Sequence, residues 1–130
     1  MPSAEYFNPA SLSKSNGYTQ VVKVDHTVYI AGQVSITADG KIVGQGDPEA
    51  QVRQVWHNLE AAVRSVGGSR QDIVRTTTYI THIDHAAAVR KVRDELFQAA
   101  NPPTSTLLVI SALAHPDFMV EIEAMAVLSG

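Results

Sequence analysis

The chain has 130 residues, of which 45% are hydrophobic and 18% are charged, with a formal net charge of −3 and no cysteine. This length predicts a single domain over residues 1–130, and the composition is that of a folded globular protein and not of a disordered chain. The acidic balance provides no basic surface for a phosphate backbone, so we expect no nucleic-acid partner. The absence of cysteine excludes disulfides and thiolate metal sites, which suits a reducing compartment.

The first ten residues, MPSAEYFNPA, lack the charged and apolar segments of a signal peptide. No apolar run in the chain approaches the roughly 20 residues that a membrane-spanning helix needs. These features predict a soluble, cytoplasmic protein with no membrane partner.

Two short strands are predicted near the start of the chain. Residues 18–24 and 27–31 are rich in β-branched and aromatic side chains, which favour strands. Asp25 and His26 lie between them and predict a tight hairpin turn. Gly32 is predicted to end the second strand.

An amphipathic helix is predicted to follow. Asp47 is a good N-cap, and Pro48 occupies the first helical position. Gly67 and Gly68 provide a C-terminal stop. Apolar residues recur between these ends at steps of three and four, as one helix face requires: Val52, Val55, Leu59, Val63 and Val66.

The second half of the chain predicts a strand, a second helix and two further strands. The strand covers residues 72–82, and Asp84 is predicted to cap the second helix. That helix places Val89, Val92, Leu96 and Ala100 on one face, and Asn101, Pro102 and Pro103 end it. The last strands are predicted at residues 104–111 and 118–127.

The last strand contains the string FMVEIEAMA, in which apolar residues alternate with a second set that includes two glutamates. This period of two indicates a strand with one buried face. The other face, which carries Glu121 and Glu123, either meets water or lines a polar cavity.

The predicted order is ββαβαββ, and it indicates an α+β fold. Two helices with one apolar face each are expected to lie side by side on one face of a single mixed β-sheet. The opposite sheet face carries Thr, Tyr, Glu and Ser among its aliphatic residues. We therefore expect that face to be partly buried against another subunit.

Several strings of the sequence, taken together, carry a family resemblance. They are NGYTQVV, YIAGQVS, PPTSTLL and LAHPDFMVEIEAMAV. The chain resembles the RidA/YjgF family of imine and enamine deaminases over almost its whole length. The resemblance implies a chorismate-mutase-like fold and homotrimers with ligand clefts between subunits. It also implies hydrolysis of 2-imino or 2-enamino acids to 2-keto acids and ammonia, without a metal or organic cofactor.

The resemblance implies roles for individual residues. Tyr18 matches the tyrosine of the family's cleft, Gly32 matches the glycine whose backbone borders the ligand, and Glu121 matches the glutamate that positions water. Ser105 stands where the family has the arginine that binds the substrate carboxylate, and Thr106 follows it as a second hydroxyl that can bind a polar ligand. On the second helix, Arg90 stands where the family often has asparagine.

The replacement of that arginine leaves alternatives open. Arg90, Arg93 and Arg75 are candidate cations for the missing carboxylate contact. The alternative for Arg90 and Arg93 is a solvated helix face, and the alternative for Arg75 is an ion pair with a neighbouring carboxylate. One hypothesis is a deaminase with a non-standard small-molecule substrate, and another is a ligand-binding trimer without catalytic activity. A ribonuclease is disfavoured by the acidic charge. His82 and His85 lack the partners of a metal site and are interpreted as surface residues.

Overall fold

The computed structural model describes residues 3–129, which form one six-stranded sheet with two α-helices. The sheet order is β1-β2-β3-β6-β4-β5, with β4 and β5 parallel and the other neighbours antiparallel. The prediction of an α+β fold with a single mixed sheet is therefore confirmed. In chain order the elements are β1 (Ala4–Phe7), β2 (Val21–Val24), β3 (Thr27–Gln33), α1 (Pro48–Arg64), β4 (Ile73–Ile80), α2 (Ala86–Leu96), β5 (Thr104–Val109) and β6 (Val120–Val127).

The N-terminal ends of the two helices differ in how well the sequence predicts them. The side chain of Asp47 accepts a hydrogen bond from the amide of Ala50 at 3.1 Å, so the predicted cap of α1 is confirmed. The predicted cap of α2 at Asp84 is wrong. A 3₁₀ turn precedes that helix, and Nδ1 of His82 accepts a hydrogen bond from the Asp84 amide at 3.0 Å. Asp84 therefore lies inside the turn, and α2 begins at Ala86.

The strands depart from the prediction at the start of the chain. Strand β1 was not predicted, and β2 begins at Val21 and not at residue 18. Gly17 has a φ of +82°, which interrupts extended backbone just before Tyr18. The hairpin turn at Asp25 and His26 is confirmed by the pairing of Val24 with Thr27.

One face of the sheet packs against both helices and forms the core. Strand β6 contributes alternate residues to this face, and all of them are buried: Val120, Ile122, Ala124 and Ala126. Helix α1 covers them with Val52, Val55, Leu59 and Val63, each at most 1% exposed. The alternating apolar residues of β6 and the apolar face of α1, both predicted from the sequence, thus pack together in one layer.

The opposite face has no helix over it, and we call it the open face. Because side chains alternate along a strand, its members follow from the strand register. They include Tyr29 of β3, Arg75, Thr77 and Tyr79 of β4, Thr104, Thr106 and Leu108 of β5, and Glu121, Glu123 and Met125 of β6.

A buried glutamine of α1 fixes the loop that leads into β6. The side-chain amide of Gln51 donates to the carbonyls of Gly44 and Asp117, at 3.2 and 2.7 Å. Its carbonyl oxygen accepts from the Met119 amide at 2.8 Å. The chain therefore enters β6 in one register, which sets the position of Glu121. No helix among residues 3–129 has the length and apolar character that crossing a membrane requires.

Candidate functional site

A β-bulge in β3 lies at the centre of the candidate site. Ile30 pairs with Ala124 and Gln33 pairs with Ile122, so Ala31 and Gly32 together oppose the single residue Glu123. A bulge bends its strand and re-aims the side chains around it. Here it brings the backbone of β3 close to the glutamates of β6.

The carboxyl group of Glu121 packs directly on Gly32. A Cβ atom at residue 32 would lie well inside van der Waals distance of Oε2 of Glu121. Glycine therefore leaves room for the Glu121 carboxyl at this position, and a larger residue would displace that carboxyl. The side chain of Glu121 is half-buried as a result. The structure thus brings together Gly32 and Glu121, two of the residues singled out from the sequence.

Two buried glutamines hold the bulge against the segment that carries Tyr18. Gln20 and Gln33 are 2% and 3% exposed, and the Gln33 amide donates to the Gln20 carbonyl oxygen at 2.9 Å. The same amide donates to the backbone carbonyl of Ala31 at 3.0 Å. The Ala31 amide in turn donates to the backbone carbonyl of Gln20 at 2.9 Å. Tyr18, which is 54% exposed, therefore precedes a segment that is fixed beside the bulge.

A shallow groove of about 250 Å³ runs along the open face beside the bulge. Strand β6 lines it with Glu123 and Met125, and β3 lines it with Tyr29. Strand β4 contributes Arg75 and Thr77. The groove therefore combines an acidic, a basic and an aromatic side chain within one opening.

The two glutamates of β6 have different electrostatic surroundings. Burial raises the pKa of Glu121, and the negative charge of Glu123 raises it further. Glu123 instead accepts a hydrogen bond from the Tyr79 hydroxyl at 2.8 Å. That hydrogen bond is the main reason why the pKa of Tyr79 is raised, so Tyr79 remains a protonated donor.

The structure does not place Ser105 with Glu121. Ser105 pairs with Thr76, which is buried on the helix-covered face, so the two side chains share that face. Ser105 borders a separate cleft of about 320 Å³ next to Arg93. Its neighbour Thr106 pairs with Thr77 and lies on the open face. Of the two predicted hydroxyls, only Thr106 shares the face of Glu121.

The predicted substitute cations also lie apart from Glu121 within one chain. Arg90 is exposed on α2, which covers the opposite side of the sheet. Arg93 forms an ion pair with Asp94 at 3.1 Å near the Ser105 cleft. Arg75 is the cation on the open face, where it pairs with Met125, four residues along β6 from Glu121.

Histidine and carboxylate side chains do not gather into a metal site among residues 3–129. His82 uses Nδ1 to cap the turn before α2. His85 contacts His82 with ring centroids 5.9 Å apart. This pair therefore has a structural role at the start of the helix.

Comparison with known proteins identifies the family of this fold and site. The family model described as Endoribonuclease L-PSP matches residues 9–128. A RutC family protein of Pyrococcus horikoshii is 31% identical over 109 residues, which cover 84% of this chain and 85% of that protein. The chain belongs to the RidA/YjgF family. A relative from Dermatophagoides farinae, named 2-iminobutanoate/2-iminopropanoate deaminase, is 30% identical over 111 residues, or 85% of each chain.

Solved structures of this RidA/YjgF family superpose closely on the chain. YyfA of Yersinia pestis, described as a conserved Rid family protein, matches with a TM-score of 0.91 at 29% identity, covering 97% of this chain and 100% of that one. TdcF of Escherichia coli, crystallised with bound serine, matches with a TM-score of 0.88 at 29% identity, covering 96% and 99%. The RidA/YjgF fold is therefore present over nearly the whole chain.

Sequence reasoning missed three residues that organise this RidA/YjgF site. Gln20 and Gln33 end the strings GYTQ and AGQ, so a signal was present in the motifs themselves. Their pairing became visible only when the strands were placed. Tyr79 gave no signal, because its contact with Glu123 depends on the register between β4 and β6.

We predict that Gln33→Met destabilises the protein by about 1–3 kcal/mol, because it leaves the buried Gln20 oxygen without a donor. The double variant Gln20→Met/Gln33→Met is expected to cost less than the sum of the two single variants, since both partners are then removed. Urea unfolding at one fixed protein concentration measures these differences. Gln98→Met, at an exposed position, is the control. Additive costs would contradict the coupling.

Proposed function

We propose that the protein is a hydrolytic deaminase that converts a reactive imine or enamine to a carbonyl compound and ammonia, at clefts between the subunits of a homotrimer. The observation that carries this proposal is the half-buried Glu121 carboxyl packed on the glycine of a bulged strand. The name of the Dermatophagoides farinae relative supports the same reaction class. The proposed chemistry uses no metal and no organic cofactor.

The chemistry requires a group that transfers protons at the reacting carbon and nitrogen. Water must add to the imine carbon and lose a proton, and the nitrogen must gain a proton before ammonia leaves. A positioned carboxyl group provides such transfers, with a contribution of roughly 10²–10⁴-fold. We assign this catalytic role to Glu121, whose raised pKa favours the form that can donate. The Gly32 backbone and Tyr18 border the substrate in this proposal.

We infer a non-standard substrate from the side chains on the edge strand β5. An arginine there would grip a carboxylate with two charge-assisted hydrogen bonds. Here Ser105 and Thr106 supply only hydroxyl groups, and Leu108, on the same rung as Tyr79, is apolar. Ser105 faces the helices, and of the two open-face threonines, Thr104 and Thr106, Thr106 lies closer to the rung of Glu121. A guanidinium at residue 106 would therefore reach the Glu121 side. The proposed substrate is therefore an imine whose binding does not depend on a cation on β5. We assign to Thr106 a contact with this substrate.

Assembly into a trimer is supported by the character of the open face. Tyr29 and Leu108 are 50% and 46% exposed there, next to the opposite charges of Arg75 and Glu123. A sheet face that combines exposed aromatic and aliphatic side chains with both signs of charge is suited to burial against copies of itself. Arg90 lies outside the open face, so in this proposal it contacts substrate only if a neighbouring subunit presents it to the cleft.

A binding protein without catalysis is the second candidate function. The observation that favours it is that β5 offers hydroxyls where a charged anchor would hold an anionic substrate. In that case the cleft retains a small polar ligand, and Glu121 serves recognition alone. Ligand binding with no turnover of any imine would favour this second function.

We predict that Glu121→Gln lowers kcat for imine hydrolysis by about 10²–10⁴-fold, because glutamine neither donates nor accepts a proton in the reaction. The assay follows pyruvate formation from 2-aminoacrylate generated in place by a dehydratase. Glu95→Gln is the matched control, since that glutamate is ion-paired with Arg53 on the helix side. A wild-type protein without acceleration over buffer would contradict the reaction class for this substrate.

A second prediction compares two neighbouring positions whose side chains face opposite sides of the sheet. Thr106→Arg is expected to raise kcat/KM for 2-aminoacrylate by about tenfold or more, since a charge-assisted hydrogen bond contributes about 1.5–3 kcal/mol. Ser105→Arg places the same group on the helix-covered face and is expected to give no gain. The pyruvate assay measures both variants. The opposite result would show that residue 105 faces the cleft.

A third prediction concerns assembly. Arg75→Glu reverses a charge on the open face beside Glu123 and is expected to weaken the trimer, because like charges then meet in the interface. Sedimentation equilibrium measures the association. Lys41→Glu makes the same change of charge in an exposed loop and is expected to leave the trimer intact. A monomeric wild type would contradict the proposed assembly.

A further inference from the structure

Tyr79 pairs with one glutamate of β6 in the strand register but forms a hydrogen bond with the other. In the pairing of β4 with β6, Tyr79 lies directly opposite Glu121, yet its hydroxyl donates to Oε1 of Glu123 at 2.8 Å. Diagonal neighbours across an antiparallel pair are about 7–8 Å apart, a distance that an aromatic side chain can span. Tyr79 therefore starts on the rung of one glutamate and ends at the carboxylate of the other.

The carboxyl groups of the two glutamates turn in opposite directions. Glu121 leans toward β3, where its Oε2 lies over Gly32, and it accepts no hydrogen bond from any residue in the range 3–129. Glu123 leans toward β4 and accepts the bond from Tyr79. A donated hydrogen bond favours the ionised form of a carboxyl group, whereas burial without a donor favours the neutral form. The geometry therefore gives Glu121 the surroundings that favour a neutral carboxyl group and ties the Glu123 carboxylate to Tyr79.

We propose that Tyr79 and Glu123 are positioning residues for the deamination: the Tyr79 hydroxyl holds the Glu123 carboxylate on the β4 side of Glu121, so that Glu121 is the member of the pair that carries the proton and delivers it to the substrate nitrogen. This assignment deepens the proposed function and rests on it. It gives distinct tasks to the two glutamates of β6.

The other charged and titratable groups of the open face agree with this division. Arg75 of β4 lies two residues from the rung of Glu123 and four from that of Glu121, or about 7 and 13 Å along the strand. Its positive charge therefore lies farther from Glu121 than from Glu123. On β3, Tyr29 faces Met125, and the open-face residues of β5 do not titrate. Burial and the Glu123 charge both raise the pKa of Glu121, in the direction that the proposal requires.

The proton transfers balance with Glu121 as the single donor and acceptor. Its carboxyl proton passes to the imine nitrogen as water adds to the carbon, and a proton of that water returns to the carboxylate, which gives the carbinolamine. The carboxyl then protonates the amino group, the C–N bond breaks and ammonia leaves. The carbinolamine hydroxyl returns its proton to Glu121 as the carbonyl forms. The sum is imine plus water giving carbonyl compound plus ammonia.

The test follows the two carboxyl carbons directly by NMR titration of protein labelled with ¹³C at glutamate, with assignments from the Glu121→Gln and Glu123→Gln variants. The proposal expects the apparent midpoint of Glu121 to lie above that of an ordinary glutamate. Glu123→Gln is expected to lower the Glu121 midpoint, because it removes a neighbouring negative charge. Tyr79→Phe is expected to lower the Glu121 midpoint by a smaller amount, because the released Glu123 carboxylate can turn away from Glu121.

Tyr29→Phe is the matched control, since it removes a hydroxyl from the same face and groove without touching the Tyr79–Glu123 bond. It is expected to leave the Glu121 midpoint unchanged. The proposal is overturned if Glu121 titrates no higher than an ordinary glutamate, or if Tyr79→Phe shifts the Glu121 midpoint no more than the control does.

A kinetic measurement separates this inference from the proposed function. With Glu121 as the acid, kcat falls as pH rises through its pKa, so Glu123→Gln is expected to move that descending limb to lower pH with little change in KM. A lower kcat with an unmoved limb would indicate a purely structural role and overturn the assignment. If the wild type hydrolyses no imine while the NMR shifts of Glu121 appear as expected, the proposed function fails and the positioning of Glu123 beside Glu121 by Tyr79 stands.

Discussion

The candidate site depends on one buried hydrogen bond, from the side-chain amide of Gln33 to the side-chain oxygen of Gln20. Strand alternation directs Gln33 into the apolar layer under the helices, where an unpaired amide would be costly. Its two donors reach Gln20 and the Ala31 carbonyl, and these contacts keep the bulge in one conformation. The bulge in turn brings Gly32 beneath the Glu121 carboxyl. The buried Gln20–Gln33 pair thus sets the position of the Glu121 carboxyl on the open face.

The sheet divides the chemistry of the molecule into two sides, and a shift of one residue changes the side. Ser105 and Thr106 are adjacent hydroxyl residues, but only Thr106 shares a face with Glu121. Matching a motif along the sequence says which family position a residue occupies. The pleat of the strand decides whether its side chain faces the core or the cleft. The register of β5 against β4 supplies the information that the string PPTSTLL lacks.

The sequence predicted best the features that repeat or that involve neighbouring residues. The cap at Asp47, the hairpin at Asp25 and the alternating faces of β6 are local patterns, and each is confirmed. Strand β1 was missed because it has four residues, none of them fully buried, and so carries no apolar alternation. The Tyr79–Glu123 hydrogen bond joins residues 44 positions apart, so only tertiary structure reveals it.

The acidic character of the site couples substrate charge to the protonation of Glu121. Glu121 and Glu123 lie two residues apart on one face, with Arg75 displaced toward the Glu123 end. An anionic substrate placed beside Glu121 adds a third negative charge, and its repulsion favours the protonated carboxyl. By reciprocity, protonation of Glu121 favours binding of the anion by the same free energy. The same arrangement of charges therefore links two properties of the site: the binding of an anionic substrate without a cation on β5, and the ability of Glu121 to donate a proton.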